Sequence, residues 1–183
     1  MSGLPGIDIT TLAMPVSKRD HIRGPIQAPA TLLEYGDYEC PFCAQARFIV
    51  EAIQGALGKQ MRFVFRNFPL AAMHPHAEHA AEAGEAAGGQ GKFWEMHDAL
   101  FENQTALEDE DLARYAAMLE LNVPRFIKQL LEGRYAPRVR EDFQSGVRSG
   151  VNGTPSFFIN GVRYDGPRDL EPMTEALLQT ATS

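Results

Sequence analysis

Cysteine is scarce in this chain: two among 183 residues, at positions 40 and 43. A disulfide framework has no further cysteine to build with. Zinc sites of four cysteines, or of three cysteines and a histidine, are excluded within one chain. A site joining Cys40 and Cys43 to two of the five histidines stays open, as does an inert pair of core cysteines. Basic residues are outnumbered, 17 Lys and Arg against 24 Asp and Glu, which leaves a net charge of −7. That balance argues against a nucleic-acid surface, which needs clustered positive charge. Long apolar runs are missing too. No stretch approaches the ~20 apolar residues of a membrane span, so neither nucleic acid nor membrane is expected as a partner. The first basic residue is Lys18, and Pro5, Asp8 and Pro15 interrupt the segment before it. A secretory leader, with a basic start and an apolar run of about 7–15 residues, is not visible. A cytoplasmic protein is expected, although a periplasmic form trimmed of its leader would read the same way.

What remains is an ordinary globular composition, 44% hydrophobic and 22% charged. The length suits one domain, which buries roughly 70% of its unfolded surface. Residues 1–27 are an extension rich in Pro and Gly, where Ile22 and Ile26 suggest a short edge strand. Ala30 to Tyr35 is an apolar run ended by Gly36-Asp37, as in a buried strand. Ala46, Ile49, Val50, Ile53 and Leu57 recur at helical spacing before Gly58. Met61 to Phe68 alternates and reads as a second strand, completing a βαβ unit. From about 75 to 150 every segment is helical in pattern. Pro155 to Ile159 then reads as a strand, and Asn160-Gly161 as a hairpin turn. Val162 to Tyr164 is its partner strand. A last helix over Asp169 to Thr180 turns Leu170, Met173, Leu177 and Leu178 inward. The sequence shows no internal repeat.

The two cysteines form Cys40-Pro41-Phe42-Cys43, just after a strand and at the start of a helix. Pro41 falls on the first helical position, where its missing N–H costs nothing. Free N–H groups and the positive end of the helix dipole then face the sulfur of Cys40. They favour thiolate, which is the nucleophile. Cys43, nearly one turn on, is placed to attack a mixed disulfide on Cys40 and release the product. Cys40 is therefore read as the attacking sulfur and Cys43 as the resolving one.

Three segments resemble the DsbA-like branch of the thioredoxin superfamily: Leu33 to Cys43 (LEYGDYECPFC), Gln90 to Asp98 (QGKFWEMHD) and Gly153 to Gly161 (GTPSFFING). The resemblance spans about residues 20–180. It implies an α/β protein with a thioredoxin-like fold, a mixed central sheet flanked by helices with an inserted all-helical subdomain. The thioredoxin-like domain would be 28–70 with 151–183, and the helical insertion 71–150. It implies a cis bond before Pro155, with Thr154 and Pro155 presenting backbone to a substrate chain beside Pro41 and Phe42. It also implies that Glu34, six residues before Cys40, is a buried acid behind Cys43. Such a carboxyl has a raised pKa and can move the Cys43 proton; the plain alternative is a hydrogen-bonded or solvated carboxylate at a strand end. The best-known oxidising members carry His where this chain has Phe42. A less depressed Cys40 pKa and a less oxidising couple are expected in consequence.

Other residues have plain readings. His74, His76 and His79 suit either a metal site or a polar helix start. Phe93, Trp94 and Phe101 read as helical core. Phe42, Tyr38 and Phe68 stand apart, since an exposed aromatic beside Cys40 would suit an apolar groove for unfolded or peptide substrate, and Glu108 to Asp111 read as a solvated first helical turn. The expected activity is that of a protein-disulfide oxidoreductase acting on protein or peptide thiols and disulfides. It needs no cofactor and no metal, because the dithiol is the redox centre. Glutathione or a reductase would be its redox partner. The rivals are a glutathione-dependent transferase or isomerase on the same fold and a non-catalytic binding module.

Overall fold

The computed structural model describes residues 10–182. The first nine residues of the 1–27 extension, with Pro5 and Asp8, and the last residue lie outside the described residues. Five strands form one mixed sheet: β1 (His21–Arg23), β2 (Ala30–Gly36), β3 (Met61–Asn67), β4 (Ser156–Ile159) and β5 (Val162–Tyr164). Their order across the sheet is β1-β3-β2-β4-β5. β2 runs parallel to β3, with Ala30 opposite Met61 and Gly36 opposite Asn67. The other pairings are antiparallel, with Glu34 opposite Phe157 on β4. This is the thioredoxin-like fold, a mixed sheet flanked by helices.

The parallel pair requires a crossover, and α1 (Pro41–Leu57) supplies it. The helix buries Cys43, Ala46, Val50, Ile53 and Leu57. It begins at Pro41, ahead of the apolar stripe, because Cys40 takes the N-cap position and proline's fixed φ suits the first helical residue. Between β3 and β4 lie α2 (Ala77–Gly88), α3 (Phe93–Glu102), α4 (Asp109–Met118), α5 (Val123–Leu131) and α6 (Ala136–Arg148). α2 is buried along nearly its whole length, which its alanines permit. α7 (Leu170–Ala181) closes the chain.

Alternation along β2 divides two cores. Leu32 joins the residues of α1, α2, α3 and α7 in the larger one. Leu33 and Tyr35 face Val64, Phe68 and Phe158, with Phe143 of α6 packed against them. On that second face Arg66 is almost fully buried. Its guanidinium donates to both oxygens of Asp20, to the Tyr35 hydroxyl and to the carbonyls of Met14 and Pro15. The N-terminal segment is thereby tied under the sheet. It bridges β5 at Thr11 and becomes β1 at the opposite edge.

Several sequence expectations shift. The edge strand is centred on Ile22 and excludes Ile26, which is exposed. Gly24, with φ of 108°, and Pro25 end it first. Of the four residues expected inward on α7, Met173 and Leu177 are buried whereas Leu170 and Leu178 are exposed. The apolar stripe facing α1 and β2 is one residue narrower on each side than the sequence suggests. The hairpin turn is as expected: Asn160 and Gly161 both have positive φ, 47° and 82°, the conformation that Asn-Gly favours.

Candidate active site

β2 ends at Gly36, and tight packing there fixes the start of the loop to the dithiol. A Cβ on Gly36 would collide with the Phe65 ring and stand 3.0 Å from Glu34 Oε1. The bare backbone leaves Phe65 packed beside Glu34. The next residue, Asp37, anchors the loop. Its buried carboxylate accepts the N–H of Glu39 at 2.8 Å and of Leu70 at 2.9 Å, and pairs with His74 Nδ1 at 2.8 Å. Its carbonyl accepts the Cys40 N–H at 3.1 Å. From the far side, Gln104 Nε2 donates to the carbonyls of Tyr38 (2.8 Å) and Cys40 (2.9 Å).

Cys40 therefore caps α1 in a fixed position, with Pro41 as the first helical residue. Both thiols are free. The Cys40 Sγ donates to the Thr154 carbonyl, 3.6 Å away, and the Thr154–Pro155 peptide bond is cis. The structure brings Cys40, Cys43, Thr154 and Pro155 together from opposite ends of the chain. Phe42 projects outward and is 65% exposed, while Tyr38 and Phe68 are buried. Of the three aromatics considered for an apolar groove beside Cys40, Phe42 alone is exposed. Tyr38 instead packs on Phe65 and Phe101 and shares a 3.0 Å hydrogen bond with His97 Nδ1. Burial, reinforced by the charges of Arg23, Arg47 and His21, holds His97 in its neutral form.

The two sulfurs are driven apart electrostatically. The hydrogen bond from the Cys43 thiol stabilises the Cys40 thiolate most, against the cost of burial. The backbone N–H groups of Cys43 and Phe42 add to it, lowering the Cys40 pKa from 9.0 to about 5. Burial pushes Cys43 far upward, helped by its hydrogen bond to Cys40 and the charge of Glu34. Glu34 itself is 2% exposed, with Oε1 lacking a hydrogen-bond partner among the described residues. It is neither solvated nor fully hydrogen-bonded, the plain alternative for a strand-end acid. Burial first, then the Cys40 charge, raise its pKa to about 8, with Arg168 opposing. A cavity of about 10 Å³ touches Glu34, Arg47, Glu51 and His97, which is room for one water.

The family model described as Thioredoxin matches residues 16–179. The chain belongs to the thioredoxin family. This family member is 44% identical over 176 residues to a protein of Salinispora tropica named Na(+)/H(+) antiporter NhaA 3, across 96% of the chain. The chain spans about a quarter of such curated relatives, 27% in that case. Its fold is similar to that of oxidised BdbD from Bacillus subtilis, with TM-score 0.86 and 22% identity over 95% of this chain and 99% of that one. It is also similar to alpha-DsbA1 of Wolbachia pipientis, with TM-score 0.77 and 20% identity over 92% and 94%. The fold is thus DsbA-like.

The histidine triplet does not converge. His74 faces Asp37, His76 faces Glu39 and Glu108, and His79 faces Asp109. Among the described residues no three His, Cys, Asp or Glu side chains are grouped to hold a metal ion. Sequence reasoning passed over Asp37 and Gln104. Asp37 stands inside the motif, where its turn position was its only signal. Gln104 has none, being brought to Cys40 from 64 residues away by the α3–α4 connection.

Proposed function

We propose that this chain catalyses thiol–disulfide exchange on protein or peptide substrates. The observation that carries the reading is the split between the two sulfurs. Cys40 stands at the head of α1, 3.6 Å from the Thr154 carbonyl, where the Cys43 hydrogen bond and the helix start lower its pKa, while Cys43 is fully buried and its pKa is raised. In the reducing direction the Cys40 thiolate attacks a substrate disulfide, whose S–S bond breaks, and the leaving thiolate takes a proton. The Cys43 thiol then gives its proton to the Glu34 carboxylate and attacks Cys40. The mixed disulfide breaks, Cys40 and Cys43 become oxidised, and the substrate leaves reduced by two electrons. Glu34 exchanges its proton with solvent through the water-sized cavity beside it. Pro41, Phe42, Thr154 and Pro155 form the surface that receives the substrate chain. Glutathione or a reductase would regenerate the dithiol.

A Cys40 pKa of about 5 lies between the ~3.5 of a strongly oxidising dithiol and the ~7 of a strongly reducing one. Insulin reduction tests the activity. The wild type precipitates insulin chains, Cys40→Ser does not, and Cys43→Ser accumulates mixed disulfides. Equal behaviour of all three sinks the reading. For direction we favour reduction. A couple near −250 mV against a glutathione buffer supports it, and one near −120 mV overturns it. The relatives favour a second reading of the partner. There a segment of this family makes up about a quarter of a protein named as an antiporter, so cysteines of membrane transporters belong among the substrates to be trapped with Cys43→Ser.

A further inference from the structure

The motif His74-Pro75-His76 stands opposite Asp37-Tyr38-Glu39 with the same spacing, and the two segments meet rung to rung. His74 Nδ1 is 2.8 Å from Asp37 Oδ2. His76 Nδ1 is 2.9 Å from Glu39 Oε1, and the His76 N–H donates to Glu39 Oε2 at 2.8 Å. The acids flank the turn that ends in Cys40, whose N–H is held by the Asp37 carbonyl. Here the chain carries Phe42, a group with no charge. Resting on the exchange reading above, we propose that His74 and His76 are positioning residues of the dithiol. Acting through Asp37 and Glu39, they hold the 37–40 segment and bring the positive charge that the Cys-Pro-Phe-Cys motif lacks.

The surrounding charges agree. Partial burial of His74 opposes its protonation, but Asp37, Cys40 and Glu39 outweigh it and raise its pKa. At His76 the Glu39 hydrogen bond leads and Glu108, from the start of α4, adds to it, so that pKa is raised as well. His79 pairs with Asp109 at 2.7 Å, and Glu34 is the acid on the sheet side of Cys40. Because the Cys40 charge favours protonated His74, protonated His74 equally favours the Cys40 thiolate.

The test is the pH profile of Cys40 alkylation by iodoacetamide, followed beside thiolate absorbance at 240 nm. Wild type should show the Cys40 titration and then a second rise of about threefold where the imidazoles lose their protons, since removing nearby positive charge makes a thiolate more nucleophilic. In the double variant His74→Gln/His76→Gln the Cys40 titration moves up by about one pH unit, a tenfold loss of thiolate on its acid side. The second rise disappears. Glutamine keeps a donor for each carboxylate but no charge, so it separates charge from scaffolding. If His74→Gln matches wild type while His74→Ala does not, the role is structural and the proposal fails. It fails too if the double variant titrates within 0.2 units of wild type. Insulin reduction is read in parallel. Lost insulin activity in the wild type with a shifted alkylation profile in the variants overturns the exchange reading and leaves this one standing.

Discussion

Two buried acids, Asp20 and Glu34, lie on opposite faces of the sheet among opposite kinds of neighbour. On the second face Arg66 and Asp20 are buried together, and every guanidinium nitrogen has a partner. On the first face Glu34 is buried beside Phe65 and Cys43 with one oxygen unpaired. A paired buried charge holds its ionisation fixed, and Arg66 is pushed still further from neutrality. An unpaired buried acid is pushed up towards neutral pH, where it can gain or lose a proton. The sheet is thus stapled on one side and left electrostatically unfinished on the other, beside Cys43, where the proposed exchange would move a proton.

The most damaging way to break the comparison is Asp20→Ala. It leaves Arg66 charged and unpaired, and unfolding by denaturant should show a loss of about 3–5 kcal/mol. The Cys40 alkylation profile should not move; a shift would mean that the two faces are not independent. Glu34→Gln acts in the opposite sense. The folded pKa of about 8 exceeds the ordinary 4.5, so wild-type Glu34 costs nothing below pH 4.5. It costs progressively more up to about pH 8, and its full penalty above. The variant should therefore match wild type at pH 4.5 and be more stable above pH 8, by up to about 4–5 kcal/mol. Stopped-flow resolution of a Cys40 mixed disulfide should slow at least about tenfold. A variant no more stable at pH 8.5 would show that Glu34 carries no burial penalty. Gly146→Ala probes the packing of the stapled face. Its Cβ would press on Phe68 and on Tyr35, 2.7 and 3.1 Å away. Thermal unfolding should register a loss of about 1–3 kcal/mol. Smallest is Leu178→Gln, on the solvent side of α7, expected within about 0.5 kcal/mol of wild type. A larger loss would mean that this leucine packs more tightly than its exposure indicates.

The strands, the helices and their order were legible in the sequence because apolar spacing and turn residues act locally. The sequence places Cys40 at a helix start by Pro41 alone, and Asn160-Gly161 announces the hairpin. The resemblance led to Glu34 and Thr154, and the structure sets both beside the dithiol. The Asp20–Arg66 staple was not legible, since its residues are 46 apart and neither belongs to a recognisable pattern. Nor was the pairing of His74 and His76 with Asp37 and Glu39, where a metal site suited the spacing as well as ion pairs did. Tyr38 and Phe68 differ from expectation because neither closeness to Cys40 in sequence, for Tyr38, nor a place just past β3, for Phe68, says which way a ring turns. Long-range pairing and side-chain direction are set by packing, and no local rule contains them.

The strap from Thr11 to Arg23 has a consequence for the protein's behaviour in a crowded solution. Sheets grow sideways when a long, flat edge strand offers its free N–H and C=O groups to a neighbour. Here both edge strands are three residues long. One is itself the end of the strap, and the other is bridged by the strap's beginning at Thr11. Both edges of the sheet are thereby closed to a neighbouring strand, and if the proposed exchange on protein substrates holds, backbone is left on offer at the Thr154–Pro155 turn.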